Sequence, residues 1–308
     1  MAKAVGENGK AYVVTGPTSG IGRRTALELA KLGTVILVGR DRGKLDELRR
    51  IIEKKGQLAR SVVCDLAEPA SVRRAAAEIV ALALPIAGLV NNAGIMQLRA
   101  TKNALGWDMT FATNHLGPFA LTEALVPHLA DGANVVFVAS AAEDPERKPA
   151  VAAGFRGARY ISAEASARGE WKAGGSTRPG MDAYATSKQC NLVTAMAFAR
   201  ETPRLRFNAV EPGFNPATSL GRDANVLVRV LSKTLVPLLV PLLMPFLKFM
   251  STSKRAGRVI AQILTDPSGR TGVYYDESGQ PMLGSAFARD PKLQDRVVTE
   301  TRALLATI

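Results

Sequence analysis

Thr15-Gly16-Pro17-Thr18-Ser19-Gly20-Ile21-Gly22 lies between a short apolar run, Ala11 to Thr15, and a helical pattern that puts Ile21, Ala26, Leu29 and Leu32 on one face. The order is strand, turn, helix. Glycines at such a turn allow tight backbone turning and close approach of a pyrophosphate. The helix N-terminus behind them offers free N–H groups and a partial positive charge. A Gly-rich turn alone is also an ordinary structural turn, and its place between a strand and a helix is what gives it weight.

Outward from this turn the same rhythm repeats. Thr34 to Val38 reads as a second strand and Asp41 to Lys55 as a charged helix. A third strand containing Val62 and Val63 ends at Asp65, and a helix covers Ala70 to Leu84. Ile86 to Val90, a long helix from Trp107 to Leu129, and a strand Asn134 to Ala139 follow. The chain then predicts a helix Met181 to Arg200, a strand Arg206 to Val210, a helix Lys254 to Leu264 and a last strand Gly272 to Tyr275. Parallel strands need crossovers, and the crossovers here are helices, so the pattern predicts an α/β, doubly wound parallel sheet of the Rossmann type. One domain, 1–308, is expected, with no linker and no repeat.

Two stretches break the rhythm. Residues 141–183 form an insert longer than an ordinary connection, rich in Gly, Ala and Arg. Asn225 to Met250 is strongly apolar, with Pro237, Pro241 and Pro245 evenly spaced, inside a region 214–252. Its uncharged run, Thr234 to Leu247, is shorter than the ~20 residues needed to span a bilayer.

Composition limits the function. With 308 residues, 47% of them hydrophobic, the chain needs no disulfide or metal staple. Its only cysteines, Cys64 and Cys190, and its only histidines, His115 and His128, argue against a disulfide framework and a metal enzyme. Residues 1–10 lack the apolar run of a signal peptide, so a cytoplasmic, reducing location is expected. Forty Lys and Arg against 27 Asp and Glu give a net charge of +13. Residues 147–178 contribute +5 and residues 200–258 contribute +7, so the nucleotide-binding frame is nearly neutral. Neither segment contains a recognisable nucleic-acid-binding module, and aromatics make up only 6%, so no nucleic-acid partner is expected.

Three further features point to chemistry. At the end of the second strand stands Gly39-Arg40-Asp41, where enzymes that bind an unphosphorylated ribose place a carboxylate. A guanidinium there suits a 2′-phosphate, so Arg40 favours NADP(H) over NAD(H). Asp41 as the ribose contact, or Arg40 merely flanking a helix, are the alternatives. Tyr184 and Lys188 share a helix face, and a nearby ammonium favours a phenolate, so the tyrosine is expected to titrate low enough for acid–base work. Such a pair means little by itself. Ser140, at the end of the fifth strand where open α/β sheets put their ligands, gives it meaning.

The spacing G-x-x-x-G-x-G resembles that of the short-chain dehydrogenase/reductase family. The resemblance extends in order through Asp65-Leu66, Asn91-Asn92-Ala93-Gly94, Asn114, Ser140, Tyr184-x-x-x-Lys188 and Pro212-Gly213. It implies a cofactor held by Gly16, Thr18, Ser19, Gly20, Ile21, Gly22, Arg40, Asp65, Leu66, Asn92, Ala93, Gly94, Tyr184, Lys188, Pro212 and Gly213. Asp65 would approach the adenine, and Asn92, Ala93 and Gly94 would pass under the cofactor as backbone. The resemblance makes Tyr184 the proton donor to a substrate carbonyl, Ser140 its anchor, Lys188 the partner of Tyr184 and of the nicotinamide ribose, and Asn114 the holder of a relay water. The Thr that contacts the carboxamide in many relatives is displaced here to Thr218, behind Pro216, and Asn215 is a substitute.

Ser140 and Tyr184 are separated by 43 residues, far more than in the commonest members, so the insert must loop out beside the substrate site. This spacer, with Tyr184-Ala185-Thr186-Ser187-Lys188-Gln189-Cys190-Asn191-Leu192 and Gly39-Arg40-Asp41, looks like the retinol dehydrogenase and protochlorophyllide reductase branch, whose substrates are large and apolar. The expectation is an NADP(H)-dependent oxidoreductase that interconverts an apolar ketone or aldehyde and its alcohol. An NAD-dependent alcohol dehydrogenase and an NADPH-sensing regulator are the alternatives. The apolar segment reads as substrate lid, buried helix pair, dimer contact, or a peripheral contact with an anionic membrane. A homo-oligomer is expected from the family.

Overall fold

Seven parallel strands build the centre of the molecule, because each crossover between them is long enough to fold as a helix over one face. The computed structural model describes residues 9–214 and 250–308. The strands are β1 (Ala11–Thr15), β2 (Thr34–Gly39), β3 (Ala59–Val63), β4 (Ile86–Asn91), β5 (Leu129–Val138), β6 (Arg206–Val210) and β7 (Val273–Tyr275). Their order is β3-β2-β1-β4-β5-β6-β7, and a short antiparallel strand, β8 (Pro281–Met282), closes the edge. The register sets Val13 of β1 beside Ile36 of β2 and Leu89 of β4. β1 is buried along its whole length, as an apolar run covered on both faces must be.

Two apolar layers flank the sheet. One face carries α1 (Gly20–Leu29), α2 (Arg42–Glu53) and α9 (Ser253–Thr265), through Leu29, Leu45, Leu48 and Ile260. The other carries α3 (Pro69–Ala81), α5 (Gly117–Leu125), α8 (Pro179–Glu201) and α11 (Pro291–Leu305), through Ile79, Phe119, Phe198 and Val297. A fully buried side chain of this size contributes roughly 1.5–3 kcal/mol, so the two layers supply most of the driving force. Among the described residues no helix is long and apolar enough to cross a membrane.

The structure departs from the sequence reading in three places. The expected helix 107–129 begins at α4 (Met109–Phe111), widens into a π turn (Ala112–Leu116), and resumes as α5. The insert 141–183 is not an open loop. It holds a 3-10 turn (Ala141–Glu143), α6 (Lys148–Ala152) and α7 (Ala163–Arg168). Third, the chain continues beyond β7 through β8, α10 (Ala286–Arg289) and α11, which the strand–helix reading did not assign. The apolar segment is described only at Met250, so residues 225–249 of the lid expectation lie outside the described residues.

β1 is flanked by β2 and β4, and the chain leaves it in opposite directions across the sheet. Open sheets form their crevice at this reversal. The ends of β1, β4 and β5 deliver the glycine turn, Asn92 and Ser140 to it.

Candidate active site

Backbone conformation builds the glycine turn. Gly16 has φ +65°, a left-handed value that a side chain resists. At Gly22 a Cβ would stand 2.3 Å from both Asn92 Nδ2 and the Gly16 oxygen, so only hydrogen fits. Asn92 Nδ2 donates to the carbonyls of Thr15 (2.9 Å) and Gly16 (3.3 Å), while Thr15 Oγ1 accepts from the N–H groups of Asn92 and Ala93, each at 3.0 Å. β1 and β4 are thereby stitched together below the turn. Ser19, at the N-cap of α1, makes no capping hydrogen bond, and no acidic residue lies in the first helical turn. Thr18, Ser19, Gly20 and Ile21 therefore open onto a helix end with free N–H groups, an arrangement that fits a pyrophosphate.

Beyond β2, Arg40 is exposed. Asp41 caps α2, with Oδ1 accepting from the Lys44 N–H at 3.1 Å and Oδ2 paired with Lys44 Nζ at 2.8 Å. These bonds hold its carboxyl below the ordinary aspartate range. A cleft of about 210 Å³ lined by Thr18, Arg23, Lys44, Glu47 and Leu48 separates the glycine turn from α2. After β3, Asp65 is half-buried and accepts from the Ala67 N–H at 3.0 Å, and Leu66 is buried.

The residues proposed for catalysis converge despite their distance in sequence. Ser140 lies near enough to the Tyr184 hydroxyl to favour its ionised form. Ser140 Oγ also accepts from the Ala142 N–H at 3.2 Å, which starts the turn after β5. Lys188 Nζ donates to the Val138 carbonyl at 2.8 Å and lies 5.6 Å from the centre of the Tyr184 ring. Asn114 sits in the π turn, where its side-chain amide exchanges two bonds with the backbone of Ile95 (2.8 and 2.9 Å) and donates to Ser187 Oγ at 3.1 Å. The extra residue of a π turn rotates one side chain out of the helical ladder, and such turns recur at functional sites. A Cβ at Gly94 would come within 3.4 Å of both Asn114 Oδ1 and Lys188 Nζ, so the strand end passes directly over the pair.

One electrostatic expectation fails. The Lys188 ammonium does not bring the Tyr184 hydroxyl down. Burial, with the Glu211 carboxylate adding to it, pushes Tyr184 up to about 12 against the opposing influence of Ser140. Burial also brings Lys188 down to about 8. The physical reason is that the lysine points at a backbone carbonyl while both groups are desolvated together. His115 is part of the packing behind the site. It is fully buried, bonded to Asn191 and Thr301, and held near 4 by burial.

The sequence reading missed several participants. Phe155, from the insert, packs on Tyr184 with ring centres 6.0 Å apart, and Met96 and Ala142 complete an apolar wall around it. Glu143, in the turn after Ser140, and Glu211, just after the neighbouring β6, are buried carboxyls. The presence of Glu211 beside Pro212-Gly213 was available in the sequence, but its burial was not. Gly213 has φ +78°, turning the chain at the end of β6, and Asn215, Pro216 and Thr218 lie outside the described residues.

A family model described as short chain dehydrogenase matches residues 10–152. Polyprenol dehydrogenase of Mus musculus is 40% identical over 142 residues, 43% of this chain and 42% of that one. Retinol dehydrogenase 13 of Homo sapiens is 39% identical over 124 residues, 39% of this chain and 38% of that one. Each match thus spans about two fifths of the relative's length. Among solved structures, an uncharacterized protein from Mycobacterium paratuberculosis superposes with a TM-score of 0.70 at 26% identity, over 96% of this chain and 93% of that one. With this sheet and relatives that include retinol dehydrogenases, the chain is similar over residues 10–152 to the short-chain dehydrogenase/reductase family.

Proposed function

We propose that this protein is an NADP(H)-dependent oxidoreductase that interconverts an apolar ketone or aldehyde and the corresponding alcohol, with Tyr184 as acid and base. The observation that carries the reading is the convergence of Tyr184, Lys188 and Asn114 with the Ser140 end of β5, at the strand ends where the sheet forms its crevice. When bound, the cofactor supplies or accepts a hydride at its nicotinamide. Tyr184 gives its proton to the substrate oxygen in reduction and recovers one in oxidation. Ser140 holds the same oxygen, and two donors aimed at a developing alkoxide do the work a metal would otherwise do. Lys188 binds the nicotinamide ribose, while Asn114 holds the relay to solvent. Gly16 to Gly22 receive the pyrophosphate; Asp65, Leu66, Asn92, Ala93, Gly94, Pro212 and Gly213 line the remaining length.

Two features support NADP(H). Asp41 is engaged as the cap of α2 and in its ion pair with Lys44, which leaves the exposed Arg40, outside the described ion pairs, at the strand end. Arg23 and Lys44 add positive charge to the adjoining cleft. The apolar character of the substrate is supported by Phe155 and Met96 around Tyr184 and by the alcohols in the relatives' names. A homo-oligomer and a peripheral contact with an anionic membrane belong to the same reading.

A panel of apolar aldehydes, ketones and alcohols with NADPH and NADH, followed at the nicotinamide absorbance, tests it. The expected result is turnover at least tenfold better with the phosphorylated cofactor, reversed or levelled by Arg40→Asp. Faster turnover with NADH in the wild type removes the role given to Arg40, and absence of turnover throughout the panel removes the enzyme.

A further inference from the structure

Glu143 closes the 3-10 turn that Ser140 opens, and it is 1% exposed. Its N–H donates to the Ser140 carbonyl at 3.2 Å, so the two residues share one turn. Its own carbonyl accepts from the Ala158 N–H at 2.9 Å, which returns the insert to this turn just past Phe155. The side chain reaches further. Oε1 accepts from the Ser285 N–H at 2.9 Å, and Oε2 accepts from the Ser285 hydroxyl at 2.5 Å and from Gln189 Nε2 at 3.2 Å.

Three segments therefore meet at one carboxylate. Ser140 and Glu143 follow β5, while Gln189 lies on α8 directly after Lys188. Ser285 belongs to the chain beyond β8 and caps α10, accepting from the Ala288 N–H at 3.3 Å. Gln189 and Ser285 are also buried, and Gln189 Nε2 makes a second bond, to Ser285 Oγ at 3.1 Å. The directions of these bonds are fixed by the protons available. Ser285 gives its one hydroxyl proton to Glu143, while its Oγ accepts from Gln189 and Ala288. Gln189 has two amide protons, one for Glu143 and one for Ser285. Every side-chain neighbour thus donates toward position 143, which calls for an acceptor with no proton of its own to place. Gly284 lets the tail approach this closely, because a Cβ there would stand 3.2 Å from Glu143 Oε1 and 2.7 Å from Leu192 Cδ2.

We infer that Glu143 is a positioning residue: its carboxylate locks the turn that carries Ser140 to α8 beside Lys188 and to the segment beyond β8, so that chain remote from the crevice sets the spacing of Ser140 against Tyr184 and Lys188. The catalytic part rests on the reading of Ser140, Tyr184 and Lys188 given above; the lock itself stands on the hydrogen bonds. A buried acceptor that faces three donors is held in one place, since moving it leaves them unpaired away from water. Such restraint matters at a reacting centre, where a misplacement of about 1 Å costs roughly a hundredfold in rate.

The test exchanges the two side chains. Glu143→Gln sets an amide against the Gln189 amide and the Ser285 hydroxyl, and Gln189→Glu sets two carboxylates together, so each single change breaks the pattern. The double variant Glu143→Gln/Gln189→Glu restores it, with the amide at 143 donating to the carboxylate at 189 and to Ser285 Oγ. Hydrogen exchange of the full-length protein, read by mass spectrometry, is expected to quicken about tenfold over residues 140–158 in each single variant and to return to the wild-type rate in the double. Unchanged exchange in both single variants overturns the lock. In parallel, kcat and the cofactor Kd are measured at a temperature where circular dichroism shows every variant folded. Each single change is expected to lower kcat by roughly 10–100-fold, with the cofactor Kd within about twofold because the glycine turn is untouched. The double variant is expected to recover kcat to within about threefold of the wild type. Lowered stability at unchanged kcat overturns the positioning role, and so does a double variant no faster than the singles. If Glu143→Gln does not fold, Ser285→Ala, which removes the hydroxyl and keeps the N–H bond, is read in the same two ways. Absence of turnover in the wild type, with exchange raised in the singles and restored in the double, overturns the oxidoreductase reading and leaves the lock standing.

Discussion

Tyr184 and Lys188 are driven toward their neutral forms by the same burial, one up to about 12 and the other down to about 8. A phenol in this state is a proton donor at physiological pH, and Tyr184→Phe is expected to lower kcat by roughly 10²–10⁴-fold, the usual worth of a positioned acid or base. Cofactor affinity, measured by fluorescence titration, should stay within about twofold, because the glycine turn and Arg40 are untouched. Glu211 adds a pH dependence of stability. Its folded value of about 7 lies above the ordinary 4.5, so the folded state holds this proton longer than the unfolded chain. The resulting stabilisation is complete below about pH 4.5 and is lost as pH rises through 7, with an upper size of about 3 kcal/mol. Glu211→Gln should lose that slope, seen as a wild-type-minus-variant difference in urea midpoint that grows between pH 5 and 8. The four residues Asn114, Ser140, Tyr184 and Lys188 were legible because each stands in an ordered motif. The direction of the Tyr184 shift was not, because helical spacing tells which groups are near and not how dry they are. Glu211 was invisible for the same reason.

The elements were legible where apolar periodicity was clean. Strand β6 has the bounds its composition predicts, and α8 was assigned within a few residues. Helix α11 escaped although Asp290-Pro291 is a start signal, because two of its buried positions are polar. Gln294 donates to the Ala288 carbonyl, and Thr301 Oγ1 meets His115 Nε2 at 3.0 Å. A buried polar residue is silent in a hydrophobic pattern until its partner is known. The π turn escaped because a single extra residue leaves the apolar stripe almost unchanged. Its anchoring is specific: His115 Nδ1 lies 3.3 Å from Asn191 Oδ1, and Asn191 Nδ2 donates to the Asn114 carbonyl at 2.9 Å. His115 near 4, against an ordinary 6.5, gives stability that is full above pH 6.5 and is lost as pH falls through 4. His115→Leu should cost about 1–3 kcal/mol in urea denaturation at pH 7.5, by leaving Asn191 and Thr301 short of a partner. It should also flatten the decline between pH 6.5 and 4. An unchanged acid decline would assign that limb to other groups.

At the scale of the molecule, the single domain and the parallel sheet followed from the alternation of strands and helices, whereas the insert's fold depended on partners distant in sequence. Tyr160 donates to Glu300 at 2.6 Å, and the Glu300 carboxylate also accepts from the Ala163 N–H at 3.1 Å, so α11 clasps the insert. The charge excess reads differently once these contacts are known. In the insert Arg147 faces Glu211, and Arg168 pairs with Glu164 and Glu170, while Lys148, Lys172 and Arg178 are exposed and outside the described ion pairs. Cosedimentation with anionic vesicles at low salt is expected, released by salt and reduced at least tenfold when these three are neutralised. Equal binding to neutral vesicles would remove the charge from the account. The clasp has a consequence for how the protein comes into being. Residues 300 and 301 hold the insert and the turn that carries Asn114, so contacts nearly 190 positions apart must close before the crevice has its final shape. During synthesis the glycine turn can form early, yet a nascent chain that stops short of Thr301 lacks the pieces that fix its reactive end. Nucleotide binding is therefore expected to precede catalytic competence on the ribosome, with turnover appearing only as the last helix docks.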